Sequence, residues 1–359
     1  MFRGAHPSIL VTGGCGFIGT NFIRTMLGQT ACRIVNLDLL TYAGHEGNLE
    51  DLAPECYQLV VGDVCDSARV AALIGACQPD AIVNFAAESH VDRSIRTPDA
   101  FIRTNVLGTF TLIDAARAYW SELEGKRKAA FRFLHVSTDE VFGDIEDTDP
   151  TSEEAAFRPN SPYAASKAGA DHIVRAYHRT YALPTLTTNC TNNYGPYQFP
   201  EKLIPLTVLN ALAENPICIY GDGQQVRDWL HVRDHCDAIA RVLDAGRPGE
   251  TYNIGAQCER TNLDVVDALC RCLDKAVPRR DGSPYFNLRT FGPDRPGHDR
   301  RYALNTEKLR NELGWQPSIA FDEGIEETVA WYRTNDRWVA STRAAQKAWL
   351  AEHYGQDPA

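Results

Sequence analysis

Three polar residues, Thr138, Asp139 and Glu140, stand side by side directly after an apolar run that is predicted to be a strand, Phe131–Ser137. The carboxyl end of a strand is where open parallel sheets bind their ligands. A hydroxyl next to two acids offers a hydrogen-bond donor, a general acid and a general base at one site. The triplet therefore predicts a reaction in which protons are both removed and supplied.

Tyr163 and Lys167 form a second reactive pair. They are four residues apart in a predicted helix, Pro162–Tyr181, so their side chains share one face. A lysine ammonium beside a phenol lowers the pKa of the tyrosine toward working pH, and it can also hold the ribose of a nicotinamide cofactor. The pair predicts a base at a site of hydride transfer.

A glycine-rich turn offers a place for such a cofactor. Gly13, Gly16 and Gly19 follow a predicted strand, Ser8–Thr12, and open a predicted helix, Phe17–Leu27. Glycines at these positions make a tight turn, let a pyrophosphate approach the helix N-terminus and let the helix pack closely on the strand. Strand, turn and helix together predict a dinucleotide-binding site.

Residues at the ends of the following strands are expected to complete this site. Asp38 ends the second predicted strand, Arg33–Asp38, and lies 19 residues after Gly19. A carboxylate at this place binds the adenosine ribose and repels a 2′-phosphate, which favours NAD over NADP. Asp63 stands where an adenine edge would be recognised, and the small residues at 86 and 87 leave room for the cofactor.

The alternation of strands and helices in the first half predicts an α/β fold with a Rossmann-type, doubly wound parallel sheet. The other strands expected there are Gln58–Val61, Ala81–Phe85 and Thr185–Cys190, and Phe101–Tyr119 is expected to be a long helix. Beyond residue 194 the expected elements are the strands Ile217–Tyr220 and Thr251–Ile254, the helices Asp234–Leu243, Asn262–Leu273 and Phe321–Arg333, and the extended segment Phe286–Phe291.

These elements are expected to form two domains. Residues 1–194, with about 224–255, are predicted to be the NAD-binding domain. Residues 195–223 and 256–359 are predicted to be a smaller α/β substrate-binding domain, which covers the carboxyl ends of the strands of the first.

Composition excludes several classes of partner. The 359 residues include 36 basic and 47 acidic side chains, a net charge of −11, which argues against nucleic acid or an anionic membrane as a partner. No stretch has the length and apolarity of a signal peptide or a membrane span. The 11 cysteines are scattered without metal-binding spacing, so we expect a cytoplasmic protein with reduced cysteines and no metal site.

With these residues in place, the chain resembles the extended short-chain dehydrogenase/reductase family from Ile9 to about Tyr354. Within that family it is similar to the enzymes that dehydrate nucleotide-activated hexoses, because related epimerases keep the hydroxyl of the triplet but lack the acid pair. The matching stretches are 37–44, 86–94, 137–143, 161–167, 192–197, 200–205, 227–230 and 294–299.

The resemblance implies dehydration of dTDP-glucose to dTDP-4-keto-6-deoxyglucose. Tyr163, beside Lys167, would take the proton from the sugar O4 while hydride leaves C4 for NAD, and Thr138 would hydrogen-bond O4. Glu140 would then remove the C5 proton, and Asp139 would protonate the departing C6 hydroxyl. Because the hydride returns to C6, NAD would have to stay bound through the cycle.

The resemblance also implies which residues contact each ligand. NAD would be bound by Gly13, Gly16, Phe17, Ile18, Gly19, Asp38, Leu40, Thr41, Asp63, Val64, Phe85, Ala86, Ala87, Thr104, Tyr163, Lys167 and Asn193. The sugar nucleotide would be bound by Ser89, Thr138, Asn192, Lys202, Leu203, Tyr220, Arg227, Asn262, Arg295 and His298. The two arginines suit a diphosphate because a guanidinium pairs with it bidentately.

The family usually forms homodimers, which implies a four-helix interface built from Asp99–Tyr119 and Pro162–Tyr181. Two residues depart from the family pattern. Cys15 replaces an alanine in the glycine turn and is expected to make cofactor binding sensitive to oxidation. Cys218 replaces a proline near the strand that recognises the base, which leaves the nucleobase preference open.

Two alternatives also stay open. One is another sugar-nucleotide enzyme of this fold, such as a UDP-glucose 4,6-dehydratase, a 4-epimerase or a decarboxylase, although the acid pair favours dehydration over the last two. The other is a non-catalytic NAD-binding protein, which should have lost Tyr163, Lys167 or the acids. The sequence leaves undecided whether the product serves rhamnose or another deoxysugar.

Overall fold

A computed structural model describes residues 7–145 and 149–344. In chain order its strands are β1 (Ser8–Thr12), β2 (Arg33–Asp38), β3 (Tyr57–Val61), β4 (Ala81–Asn84), β5 (Arg132–Thr138), β6 (Thr185–Cys190), β7 (Asn192–Tyr194), β8 (Ile217–Tyr220), β9 (Val226–His231), β10 (Thr251–Ile254), β11 (Glu259–Thr261) and β12 (Arg289–Gly292).

The helices are α1 (Phe17–Gln29), α2 (Ser67–Cys77), α3 (Val91–Arg96), α4 (Pro98–Phe101), α5 (Thr109–Glu122), α6 (Gly125–Ala130), α7 (Pro162–Tyr181), α8 (Leu203–Leu212), α9 (Val232–Ala245), α10 (Asn262–Ala276), α11 (Glu307–Leu313) and α12 (Phe321–Thr334). A π-helical segment, Ile102–Gly108, joins α4 to α5. Short 3₁₀ turns occupy Glu46–Asn48, Asp139–Phe142 and Tyr285–Leu288.

A parallel sheet of seven strands in the order β10-β6-β5-β4-β1-β2-β3 forms the centre of the described structure. Its middle strands are apolar because helices cover both faces; Leu10 of β1 pairs with Val35 of β2 and Ile82 of β4, and all three are buried. The order of connection reverses between β1 and β4. The crevice at the carboxyl ends of these two strands is where such sheets bind dinucleotides. The Rossmann-type prediction is confirmed.

A smaller layer lies after β6. Strand β9 pairs with β7 and β11 in a three-stranded sheet, and β8 pairs with β12. Helices α8, α10 and α12 enclose a separate apolar core that includes Val208, Leu269 and Tyr332. Strand β10 instead joins the large sheet, and α9 packs against α1. Because α9 and β10 belong with the large sheet, we propose that residues 1–194 with about 224–255 form one domain and that 195–223 with 256–359 form the other. Strand β9 links the two by pairing with both β7 and β11. Residues 1–6, 146–148 and 345–359 of these ranges lie outside the described part of the chain.

Most predicted elements have the predicted positions, but two need correction. The segment Phe286–Phe291 is not extended throughout: Tyr285–Leu288 is a 3₁₀ turn, and the strand begins at Arg289. The turn forms because Tyr285 is tied to α10, where its N–H donates to Asp274 at 2.9 Å. The helix expected over Phe101–Tyr119 is interrupted by the π-helical segment.

One further helical segment follows α12. Residues 336–344, hereafter the C-terminal strap, turn back toward the large sheet after Asn335 ends α12. Val339 is buried in the core of the smaller layer, which anchors the strap there. Among the described helices, none is both long and apolar enough to cross a membrane.

Candidate active site

A cavity of about 320 Å³ opens at the carboxyl ends of β1, β2, β4, β5 and β6. It runs from the glycine turn to the Thr-Asp-Glu triplet. All five predicted catalytic residues line it, and so does every residue predicted to bind NAD except Leu40. Leu40 acts from outside the lining, since its N–H donates to a carboxylate oxygen of Asp38 at 2.8 Å.

The glycine turn has the shape of a cradle for a phosphate group. A Cβ on Gly13 would lie 2.6 Å from the backbone nitrogen of Ala86, and one on Gly19 would lie 2.4 Å from the carbonyl oxygen of Gly13. A Cβ on Gly16 would lie 3.3 Å from that same carbonyl oxygen. Gly16 lines the cavity, so such a side chain would occupy part of the space open to a ligand. Within the described residues no side chain caps the N-terminus of α1, which leaves its first N–H groups for an anion.

Asp38 is buried where β2 meets the cavity. One of its carboxylate oxygens accepts the N–H of Cys15 and the other that of Leu40, both at 2.8 Å. Burial raises the pKa of Asp38, while these two hydrogen bonds oppose that shift. Its oxygens keep lone pairs that can accept hydroxyl groups of a ribose.

The nearby Asp63 carboxylate already has hydrogen-bond partners within the protein. One of its carboxylate oxygens accepts the N–H of Cys65 at 2.8 Å, and the other lies 3.2 Å from the guanidinium of Arg103. This contact was not foreseen from the sequence. Recognition of an adenine edge by Asp63 stays a prediction.

The triplet forms the start of a 3₁₀ turn directly after β5. The Thr138 hydroxyl accepts the N–H of Glu140 at 3.3 Å and donates to one carboxylate oxygen of Asp139 at 3.2 Å. The other oxygen of Asp139, Oδ2, is buried and has no hydrogen-bond partner in the described part of the chain. Thr138 therefore holds Asp139 with one oxygen left for another group.

Burial raises the pKa of both acids, and more cations oppose that shift at Glu140 than at Asp139. Burial raises the pKa of Asp139 to about 8, with the neighbouring charge of Glu140 adding to the shift, so Asp139 is protonated at neutral pH. Burial also raises the pKa of Glu140, but Arg295, Arg227 and Lys202 all oppose this by favouring the carboxylate. The pair is arranged as one proton donor and one proton acceptor.

Tyr163 faces the same point of the cavity from α7. Its ring packs edge-on against Phe101, with 6.3 Å between ring centroids, and its hydroxyl hydrogen-bonds to Thr138. Burial and the charge of Glu140 raise the pKa of Tyr163 well above its usual value, although the bond to Thr138 opposes this shift. The sequence-based expectation of a lowered pKa is therefore not met in this structure.

Lys167 is held by the protein beneath Tyr163. Its ammonium donates to the carbonyl of Val136 at 2.7 Å and lies 3.4 Å from a ring nitrogen of His135. Burial lowers the pKa of Lys167, and the carboxylate of Asp171, one turn further along α7, opposes this shift. Burial also lowers the pKa of His135 to about 4, so this imidazole is neutral and Asp171 supplies the counter-charge.

The residues predicted to bind the sugar nucleotide fall into two groups. Ser89, Asn192 and Lys202 line the cavity together with Thr138, and the Lys202 ammonium donates to the carbonyl of Ser89 at 3.1 Å. The other six residues do not line the cavity: Leu203, Tyr220, Arg227, Asn262, Arg295 and His298. They belong to the smaller layer, which sequence spacing could not position against the sheet.

Arg227 and Arg295 nevertheless affect the electrostatics of the cavity. Both are close enough to Glu140 to lower its pKa. Arg227 is buried, donates to the carbonyls of Val226 and Asp299, and stacks 4.3 Å from the centroid of the Tyr302 ring. The same guanidinium also donates to the carbonyl of Arg300 at 3.4 Å, and binding of a diphosphate by Arg227 stays a prediction.

The cavity also includes acids that sequence reasoning missed. Glu88 and Glu201 both line it, and Glu201 accepts a hydrogen bond from the Tyr42 hydroxyl at 3.1 Å. Both lie inside the family-like stretches, at 86–94 and 200–205, and that position was the available signal. Cys190, the last residue of β6, also lines the cavity.

Cys15 does not have the character of an oxidation-sensitive thiol. It is fully buried, and its sulfur accepts a hydrogen bond from Asn36 at 3.3 Å. Burial and the charge of Asp38 raise the pKa of this thiol to about 12. Because oxidation proceeds through the thiolate, this environment argues against the expected sensitivity.

Comparisons with known proteins identify relatives over most of the chain. A family model described as GDP-mannose 4,6 dehydratase matches residues 10–328. A dTDP-glucose 4,6-dehydratase of Xanthomonas campestris is 56% identical over 92% of this chain and 94% of its own. The dTDP-glucose 4,6-dehydratase 1 of Escherichia coli is 49% identical over 96% of this chain and 98% of its own.

Among solved structures, the dTDP-glucose 4,6-dehydratase DesIV of Streptomyces venezuelae, with NAD and TYD bound, superposes with a TM-score of 0.84. It is 45% identical, and the match covers 93% of this chain and 99% of that one. Fold and site define an extended short-chain dehydrogenase/reductase. The chain belongs to the nucleotide-sugar 4,6-dehydratase family that the matching model describes, and within it to the dTDP-glucose 4,6-dehydratases.

Proposed function

We propose that this protein dehydrates dTDP-glucose to dTDP-4-keto-6-deoxyglucose with a bound NAD. The observation that carries the proposal is the pair Asp139 and Glu140. One acid is protonated at neutral pH and the other is surrounded by cations, in the cavity that the glycine turn also lines. Elimination of water needs such a donor and acceptor together. The identities of 49–56% with dTDP-glucose 4,6-dehydratases support the same reaction.

NAD fits the residues of the cavity. The cradle at Gly16 and the uncapped start of α1 suit a pyrophosphate, and Asp38 suits an unmodified ribose. When bound, NAD⁺ supplies a hydride acceptor and a positive charge that favours ionisation of a nearby phenol. The DesIV structure, 45% identical, has NAD bound.

The protein's own groups then divide the proton transfers. Tyr163 takes the proton from the sugar O4, and the Thr138 hydroxyl, which hydrogen-bonds to Tyr163, orients that oxygen. Glu140 accepts the C5 proton, which the adjacent 4-ketone makes acidic. Asp139 delivers its proton to the departing C6 hydroxyl. Lys167, fixed by the Val136 carbonyl, keeps a positive charge beneath the site.

The test is mass spectrometry of the purified protein incubated separately with dTDP-glucose, UDP-glucose and GDP-mannose, without added NAD. We expect loss of one water from dTDP-glucose alone, which would also show that NAD is retained from the cell. Loss of water from UDP-glucose instead would keep the mechanism and change the nucleotide. No mass change in any sample, even with NAD added, would contradict dehydration and point to epimerisation or to binding without catalysis.

The cofactor preference gives a first prediction. Asp38→Ala should weaken NAD binding about tenfold or more, the effect of losing hydrogen bonds to a charged group, and should relax discrimination against NADP. Asp38→Asn is the matched control, because the amide keeps one acceptor oxygen and the volume of the side chain. The measurement is calorimetry of NAD and NADP binding to each variant. An unchanged preference in Asp38→Ala would remove the role of Asp38.

We also propose a homodimer through the π-helical segment, α5 and α7. Large apolar side chains on these elements are about half exposed: Ile102, Leu107, Phe110 and Tyr181. Large apolar side chains exposed on neighbouring helices favour a contact surface. The family resemblance supports a second copy of the chain as the occupant of this face.

The dimer proposal gives a second prediction. Leu107→Asp combined with Phe110→Asp should shift the protein from dimer to monomer, since buried unpaired carboxylates oppose association. Phe291→Asp is the control, because Phe291 on β12 is 60% exposed and lies outside the proposed face. Light scattering after gel filtration measures the mass of each. A dimer that survives the double substitution would place the interface elsewhere.

A cytoplasmic location is likewise our proposal. All 11 cysteines are free thiols in the structure, which is the usual state in a reducing compartment.

A further inference from the structure

The C-terminal strap contacts the protein directly behind the glycine turn. The indole N–H of Trp338 donates to the side-chain oxygen of Asn48 at 2.6 Å, and the Ser341 hydroxyl lies 2.8 Å from a ring nitrogen of His45. Neither His45 nor Asn48 lines the cavity. The strap therefore touches residues that lie one step behind the cofactor site.

Both contacted residues hold the same carbonyl group. The side-chain amide of Asn48 donates to the carbonyl of Cys15 at 3.0 Å, and the backbone N–H of His45 donates to that carbonyl at 3.0 Å. Asn48 is buried, and its amide also donates to the hydroxyl of Thr20 on α1 at 3.1 Å. Trp338 thus fixes the orientation of an amide group that ties the turn to its helix.

The Cys15 peptide lies between Gly14 and Gly16 in the turn. On its other side, its N–H donates to Asp38, the residue proposed to bind the ribose. The backbone at Cys15 is therefore held from the cavity side by Asp38 and from behind by Asn48 and His45. Glycines on both sides give this turn little rigidity of its own, so these hydrogen bonds, together with the one from the Gly14 N–H to the Asn36 side chain at 2.9 Å, contribute to its order.

We propose that Trp338 is a positioning residue for cofactor retention: through Asn48, the C-terminal strap holds the glycine turn in its NAD-binding shape and so slows the loss of NAD. The inference rests on the proposed function, because an NAD that is reduced and reoxidised in each cycle has to remain bound between the two steps. A preorganised turn binds more tightly since less ordering is required on binding.

The test is Trp338→Phe in the full-length holoenzyme. Phenylalanine keeps an aromatic ring beside Trp331 and Tyr197 but removes the N–H that bonds Asn48. We expect NAD to be lost about three- to tenfold faster than from the parent, the factor that one hydrogen bond contributes. With saturating NAD the kcat should be unchanged.

Trp331→Phe is the matched control. Trp331 packs in the same aromatic cluster, with 4.9 Å between its ring centroid and that of Trp338, but has no bond to Asn48. The readouts are the NAD content of the purified proteins and its rate of loss on gel filtration. The melting temperatures of the NAD-free proteins show whether a general loss of stability explains the result.

The possible results distinguish a failure of the strap proposal from a failure of the proposed function. Faster NAD loss in Trp338→Phe than in Trp331→Phe, at equal melting temperature, supports the proposal. Equal retention in the two variants overturns it while leaving the NAD site in place. A parent protein that binds no NAD in any form would contradict the proposed function itself. Ser341→Ala gives a second check, since it removes the other contact and should act in the same direction.

Discussion

Replacing Glu140 with glutamine is expected to slow water loss by roughly a thousandfold while C4 oxidation continues, so that NADH accumulates on the protein. An amide cannot accept the C5 proton, but it fills the same volume. The measurement is the absorbance of bound NADH after mixing with dTDP-glucose, together with mass spectrometry of the sugar nucleotide.

Glu88→Gln is the matched control for this prediction. Glu88 is also a partly buried carboxylate that lines the cavity, and burial raises its pKa as it does for Glu140. The proposed chemistry gives Glu88 no proton to transfer, so this variant should still eliminate water. Full conversion by Glu140→Gln, or trapped NADH in Glu88→Gln alone, would show that the base has been assigned to the wrong residue.

Asp139→Asn is expected to lower the rate of dehydration about a hundredfold or more, because the C6 hydroxyl then leaves without a proton donor. The parent should also lose activity as pH rises through about 8, where Asp139 gives up its proton. The residual activity of Asp139→Asn should lack this decrease. The rate at saturating substrate, followed between about pH 6 and 10, measures both effects.

The raised pKa of Asp139 should also make the free energy of unfolding depend on pH. The folded pKa of Asp139 lies near 8 and the ordinary value is 3.8, so between these values the folded state binds a proton that the unfolded state has released. The contribution of Asp139 to the free energy of unfolding therefore falls as pH rises through this range. Asp139→Asn should remove that part of the dependence. A parent whose free energy of unfolding, measured by denaturant titration, changes with pH no differently from that of Asp139→Asn would contradict the raised pKa.

Local sequence signals were sufficient for the large sheet and for one wall of the cavity. The strand Ser8–Thr12, the glycine turn and the start of α1 follow each other in the chain, so their spacing already implies their geometry. The triplet after β5 and the pair on α7 could be predicted for the same reason. Each lies at a fixed distance from an element with a clear hydrophobic pattern.

What depends on distant contacts could not be predicted from the sequence. The pKa of Asp139 depends on its burial and on the neighbouring charge, and the strap bonds Trp338 to a residue 290 positions earlier in the chain. The hydrogen bond from Lys167 to the carbonyl of Val136 is also a tertiary contact. Pattern rules describe single elements and contain no information on which elements meet.

The three cations that favour the ionised form of Glu140 come from segments outside the sheet that holds it. Lys202, Arg227 and Arg295 belong to the stretches after β7, whereas Glu140 follows β5. An anionic ligand that binds these cations screens their effect, and the proton affinity of Glu140 then increases. The strength of the base is therefore coupled to occupancy: the carboxylate is a weak proton acceptor in the empty cavity and a stronger one once a diphosphate has arrived.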